Sequence, residues 1–205
     1  CRKDSMKVGT WKRVGSTIID IMPIIGLLSI LFTLFVGDLL KPDEYEASIV
    51  EHNEITEYYQ GFFDQFQEQF DNGEISQETY DAEVANLMLF YNQATVDLNL
   101  VAMNYFGNTI LYFFISFNGL YYAYNLFTKG RTLGRRMLKI ELKGKINWWT
   151  LFIREIIWKT GFWSVTLGGG ILLDMAMIGL SARKQSLRDM VTQTRIAYEG
   201  VDYPF

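Results

Sequence analysis

From Thr17 to Val36 the chain is almost unbrokenly apolar, inside the longer stretch WKRVGSTIIDIMPIIGLLSILFTLFVGDLL that runs from Trp11 to Leu40. At 1.5 Å per residue a helix of that length spans roughly 30 Å, the thickness of a bilayer's hydrocarbon. One charge interrupts it. Asp20 lies about two turns inside and shares a helix face with Arg13. A carboxylate at that depth costs several kcal/mol unless it is protonated, paired or wetted, which makes Asp20 a candidate functional residue. Pro23 has no N–H, and its ring crowds the carbonyl of Ile19, so backbone polarity is freed beside the carboxylate at an expected helix kink.

The net charge of −4 conceals a segregation. Residues 1–15 carry Arg2, Lys3, Lys7, Lys12 and Arg13 against Asp4, residues 41–97 carry fourteen carboxylates against Lys41, and residues 128–146 are basic again. Basic loops stay in the cytoplasm, so the first and third blocks belong inside and the acidic block outside. Cys1 is the single cysteine, which excludes an intrachain disulfide and a multi-thiolate metal site; it reads as a start-site feature rather than a lipidated residue. The first apolar segment is too long for a cleaved signal peptide and reads as an uncleaved signal anchor.

The fold class that follows is an all-α membrane protein: a small transmembrane helical bundle with an extracytoplasmic helical hairpin and a short cytoplasmic β-ribbon. A cytoplasmic basic arm (1–15) leads into transmembrane helix 1 (16–40). In the acidic hairpin (41–97), Ile55, Tyr59, Phe62, Phe66 and Phe70 recur at helical spacing. Asp71-Asn72-Gly73 turns the chain, Ser76 caps the next helix, and Tyr80, Val84, Leu87 and Tyr91 form the facing stripe. That turn lacks the oxygen spacing of an EF-hand, and the lone His52 reads as a surface residue. Transmembrane helix 2 (98–127) carries Asn104, Asn108 and Asn118 as its polar points. The cytoplasmic loop (128–147) alternates from Met137 to Lys143, as does Val191 to Tyr198, which predicts a two-stranded pairing.

Residues 148–182 exceed one crossing by half. Gly168-Gly169-Gly170 offers a tight reversal there, giving a hairpin or re-entrant pair, Trp148–Leu167 and Ile171–Ala182. The cytoplasmic tail (183–205), with Arg183, Lys184, Arg188 and Arg195, then lies inside with the N-terminus. Counted from the cytoplasmic boundary, Asp20, Arg154 and Asp174 all fall about 10–14 Å deep, so an intramembrane cluster of the three is one reading. The other has Arg154 and Lys159 snorkelling from an interfacial helix, with Glu155 paired to Lys159.

Three groups of residues resemble the RDD family. Arg13 and Asp20, within Lys12-Arg13-Val14-Gly15-Ser16-Thr17-Ile18-Ile19-Asp20, look like its opening arginine and aspartate. Gly130, Thr132, Gly134, Arg135 and Arg136 resemble its G-x-T-x-G-[KR]-[KR] loop, and Arg154 sits where a further arginine is usual. Ser186-Leu187-Arg188-Asp189 resembles its closing element, with Asp189 as the second signature aspartate and Arg188 where a histidine is usual. The resemblance covers roughly residues 8–37 and 100–198 and leaves out the acidic hairpin. It implies a bacterial inner-membrane protein whose signature charges lie near the cytoplasmic face.

Two functions are compatible with these residues. One is transport of a small ligand, or of a monovalent cation or proton, through an intramembrane carboxylate site, with a homo-oligomer supplying further helices. The other is a non-transporting accessory or regulatory subunit that docks a membrane or extracytoplasmic partner through the acidic hairpin. No nucleophile–base pair, metal spacing or phosphate loop points to an enzyme or a cofactor. The basic cytoplasmic residues suit the lipid bilayer's anionic heads rather than nucleic acid.

Overall fold

The computed structural model describes residues 7–162, 165–181 and 184–201. Cys1, Arg2, Lys3 and Asp4 of the basic arm, Ala182 at the end of the expected hairpin and Arg183 of the tail lie outside the described residues. The chain divides into two compact units, Cys1–Phe32 with Phe113–Phe205, and Thr33–Tyr112. Among the described residues it is mostly helical with a two-stranded sheet, matching the expected helical content and strand pairing.

Helix α1 (Thr10–Leu31) continues through Pro23. A π-helical turn (Phe32–Val36) and the short α2 (Gly37–Leu40) follow, before Lys41-Pro42 breaks the run. Helix α3 is Tyr45–Asp71, and α4 is Gln77–Phe127. Thr10–Leu40 and Gln77–Phe127 are long and apolar enough to cross a membrane. A soluble protein's core helix would be mostly buried, yet only 11% of the apolar window of the first and none of the second is covered. Ile18, Met22, Ile25 and Ile30 of α1 are exposed, as are Ile110, Phe114 and Ile115 of α4, a surface suited to acyl chains rather than water.

In the unit Thr33–Tyr112, rings join α3 to α4 in antiparallel order. Tyr45 meets Tyr105 at 4.7 Å, Tyr59 meets Tyr91 at 5.7 Å, and Phe70 meets Tyr80 at 5.0 Å between centroids. Gly73 takes a left-handed φ of 73° in the connecting turn, and the Ser76 hydroxyl accepts the Thr79 N–H at 3.2 Å.

In the other unit, α4 ends where Gly130, at φ 73°, donates its N–H to the Asn125 carbonyl at 2.8 Å. Then come α5 (Leu133–Met137), β1 (Ile140–Gly144) and α6 (Trp148–Phe152). Asn147 caps α6 by accepting the Thr150 N–H at 2.7 Å. A ten-residue π-helical segment (Ile153–Phe162) extends α6. Gly168 turns the chain at φ 86° into α7 (Gly169–Leu180), so Gly169 and Gly170 are already helical. Helix α8 (Leu187–Val191) and β2 (Thr194–Tyr198) close the chain.

The two strands pair antiparallel, with Ile140 opposite Tyr198 and Leu142 opposite Ile196. Lys7 adds a bridge to Ala197, and Val8, Ile140, Leu142, Leu151 and Ile196 form the buried core beneath. Both strands start later than the alternation predicts, because Lys139 and Gln193 take left-handed φ of 53° and 51° and turn the chain first.

Candidate functional site

The polar face of α1 carries Arg13, Ser16 and Asp20, spaced to line one side of a helix, and all three are buried. Asp20 accepts from the Thr132 hydroxyl at 2.6 Å and from the Gly134 N–H at 2.7 Å. The Tyr124 hydroxyl stands 3.5 Å away and itself accepts the Leu133 N–H. Thr132 is the N-cap of α5 and Gly134 its second residue, so a carboxylate from another helix closes the first turn of α5. Approach is close: a Cβ at Gly134 would lie 2.1 Å from the Ser16 carbonyl oxygen. The loop glycines and threonine thus act as a dock for α1, and Asp20 is saturated by that dock. Asp20→Asn turns one acceptor into a donor that faces donors, and is expected to cost about 1–3 kcal/mol. Thermal unfolding in detergent, together with faster amide exchange across residues 132–137, checks this.

Asp189 sits at the second junction. It forms a capping box with Ser186, accepting the Ser186 N–H at 3.3 Å while donating its own N–H to the Ser186 hydroxyl at 3.2 Å. One carboxylate oxygen takes the Arg13 guanidinium at 2.6 Å, and the other takes Arg154. Arg13 also donates to the carbonyls of Lys184 and Ile196, and Arg154 to the Thr194 hydroxyl at 2.7 Å. Burial alone would push the Asp189 carboxyl up; the guanidiniums of Arg154, Arg13 and Arg188 override it and hold the group well below the usual carboxylate range.

The network continues through Glu155, which pairs with Arg154 at 3.3 Å, Lys159 at 2.5 Å and Arg135 at 3.5 Å. Two consecutive residues, Arg154 and Glu155, both point inward from the π-helical segment, whose wider turn recurs where polar side chains converge. Arg135 closes the circuit by donating to the Gly130 carbonyl at 2.7 Å. Asn118 bonds Thr160, and Lys159 lies 4.4 Å above the Tyr121 ring, so α4 is tied to the same segment.

Asp174 of α7 differs from both. It is 3% exposed, its ion-pair partner is Arg188 at 3.7 Å, and neither carboxylate oxygen accepts a hydrogen bond. It faces a cavity of about 180 Å³ between α1 and α7, walled by Thr10, Arg13, Thr17, Ile171 and Arg188. A separate open groove of about 840 Å³ is lined by Lys143, Lys145, Asp189, Gln193 and Arg195. Arg13 lines the cavity and Asp189 lines the groove.

The signature charges Arg13 and Asp189 meet. The structure does not assemble Asp20, Arg154 and Asp174 into one cluster: Asp20 binds the loop, Arg154 binds Asp189 and Glu155, and Asp174 pairs with Arg188. Counting depth along the chain places residues at one level but says nothing about which neighbour lies beside them. Thr132 and Gly134 form the dock, Gly130 and Arg135 join each other and the Glu155 network instead, and Arg136 is exposed. The pairing of Asp174 with Arg188 was beyond periodicity; the signal available was an arginine standing where the motif has a histidine. Among the described residues, no group of three or more His, Cys, Asp or Glu side chains gathers to hold a metal.

Compared with known families, residues 7–193 match the model of the RDD family. No curated protein and no solved structure matches the chain.

Proposed function

The chain belongs to the RDD family, and from that premise we propose that it is a multi-pass protein of a bacterial cytoplasmic membrane that passes a monovalent cation or proton. Both termini face the cytoplasm, the acidic hairpin projects outside, and a homo-oligomer completes the path. Helix α7, at twelve residues, is shorter than the roughly 20 a crossing needs, which supports a re-entrant pair over a full hairpin.

The observation that carries the reading is Asp174: a buried carboxylate with both oxygens lacking hydrogen bonds, facing a small cavity that Arg13 and Arg188 also line. Lone pairs left unused at that cost are what a mobile cation or proton requires, whereas those of Asp20 are consumed by structure. Asp174→Asn is expected to abolish sodium- or potassium-driven proton flux in reconstituted vesicles while leaving the unfolding temperature within a few degrees of wild type. Wild-type vesicles without flux for sodium, potassium or protons would remove the proposal.

A second reading, the docking subunit, draws on the unit Thr33–Tyr112, where Tyr58, Leu89, Phe90 and Val96 remain exposed among carboxylates. Flux from vesicles that hold this chain alone separates the two.

A further inference from the structure

Two carboxylates in the same unit are held by arginines in different ways. Asp189 is gripped by Arg13 at 2.6 Å and by Arg154, with a capping serine besides. Asp174 is equally buried, yet Arg188 approaches it only to 3.7 Å, outside hydrogen-bond range. A permanent structural pair would close that distance, since the hydrogen bonds of a tight pair are what repay the desolvation of both charges.

Arg188 precedes Asp189 on α8, and its surroundings are mixed: burial and the nearby Arg154 guanidinium disfavour its charge, while Glu155, Asp189 and Asp174 favour it. Its guanidinium lines the same cavity as Asp174, so whatever enters that cavity meets the two together. Arg13, the other guanidinium on the cavity wall, is already committed to Asp189.

We infer that Arg188 is a tethered counter-cation. Its guanidinium holds the charge of Asp174 while the cavity lacks a mobile ion, and an entering monovalent cation must displace it toward Glu155 and Asp189. Arg188 is then a positioning residue that sets cation affinity. The chemistry selects a single positive charge: an anion would face Asp174, and a divalent ion would confront Arg188 with no second carboxylate on the cavity wall. This inference rests on the reading that the Asp174 cavity is the cation's seat.

The test uses the full chain in phosphatidylcholine nanodiscs, with ²²Na⁺ and ⁸⁶Rb⁺ binding as the readout. Arg188→Gln is expected to bind one of these ions at least about tenfold more tightly than wild type, because the competing charge has gone. Arg188→Lys, which keeps a tethered charge, is expected to stay within about threefold of wild type. Asp174→Asn, alone or combined with Arg188→Gln, is expected to bind neither ion. Unchanged or weaker binding by a folded Arg188→Gln protein overturns the inference, as does a double variant that binds like Arg188→Gln.

If Arg188→Gln fails to fold, phenylglyoxal labelling of wild type decides. Sodium or rubidium should accelerate modification at Arg188 relative to choline, and equal rates overturn the inference. The two levels separate cleanly. Binding that depends on Arg188 without flux leaves the tether standing and removes transport. Flux that depends on Asp174 with a cation KM unmoved by Arg188→Gln leaves transport standing and removes the tether.

Discussion

Asp189→Ala is expected to lower the unfolding free energy by about 3–5 kcal/mol, because it takes from buried Arg13 its paired carboxylate and leaves buried Arg154 with Glu155 alone. Arg154 is fully buried and Arg13 nearly so, and each has Asp189 as its carboxylate within 2.6 Å. The capping box of α8 goes with the same side chain. Denaturant titration in detergent measures the loss, and Asp189→Asn, which keeps shape but not charge, should recover only part of it.

The pH dependence follows from the depressed native ionisation of Asp189. A free aspartate titrates near ~3.9, and the folded-state value lies below that. The stabilisation is therefore complete above the unfolded value and falls away as pH drops from there through the folded value. Wild type should lose stability between about pH 5 and the acid limit, with a slope that Asp189→Ala lacks.

Gly134→Ala is the second large effect. The added methyl would sit 2.1 Å from the Ser16 carbonyl oxygen, a backbone atom inside α1 that moves only if the helix deforms. Undocking of α5 is the alternative, and it takes the Thr132 and Gly134 donors away from Asp20. Overpacking and the abandoned carboxylate together predict a loss of at least about 3 kcal/mol, with new trypsin cleavage at Arg135 and Arg136. Gly26, where an added Cβ meets nothing within 4 Å, provides the control: Gly26→Ala should be neutral or stabilising by up to about 1 kcal/mol.

What the sequence made legible were features that composition and period determine. The apolar run from Thr17, the alternation around Ile140 and Ile196, and a turn at Gly168 are local statements about chain segments, and a long helix, a strand pair and a left-handed Gly168 are present there. Partners across sequence were not legible. Periodicity puts Asp20 on a face with Arg13, but nothing local says that Thr132 and Gly134 come to cover one while Asp189 covers the other. Nor does anything local say that the adjacent Arg154 and Glu155 both turn inward, or that the helix widens to a π-helical turn there.

The Arg13–Asp189 pair joins residues 176 positions apart. During translation the first helix leaves the ribosome long before its closing carboxylate has been made. Arg13 and Asp20 therefore lack their partners until the loop at Thr132 and then the segment at Asp189 have been made.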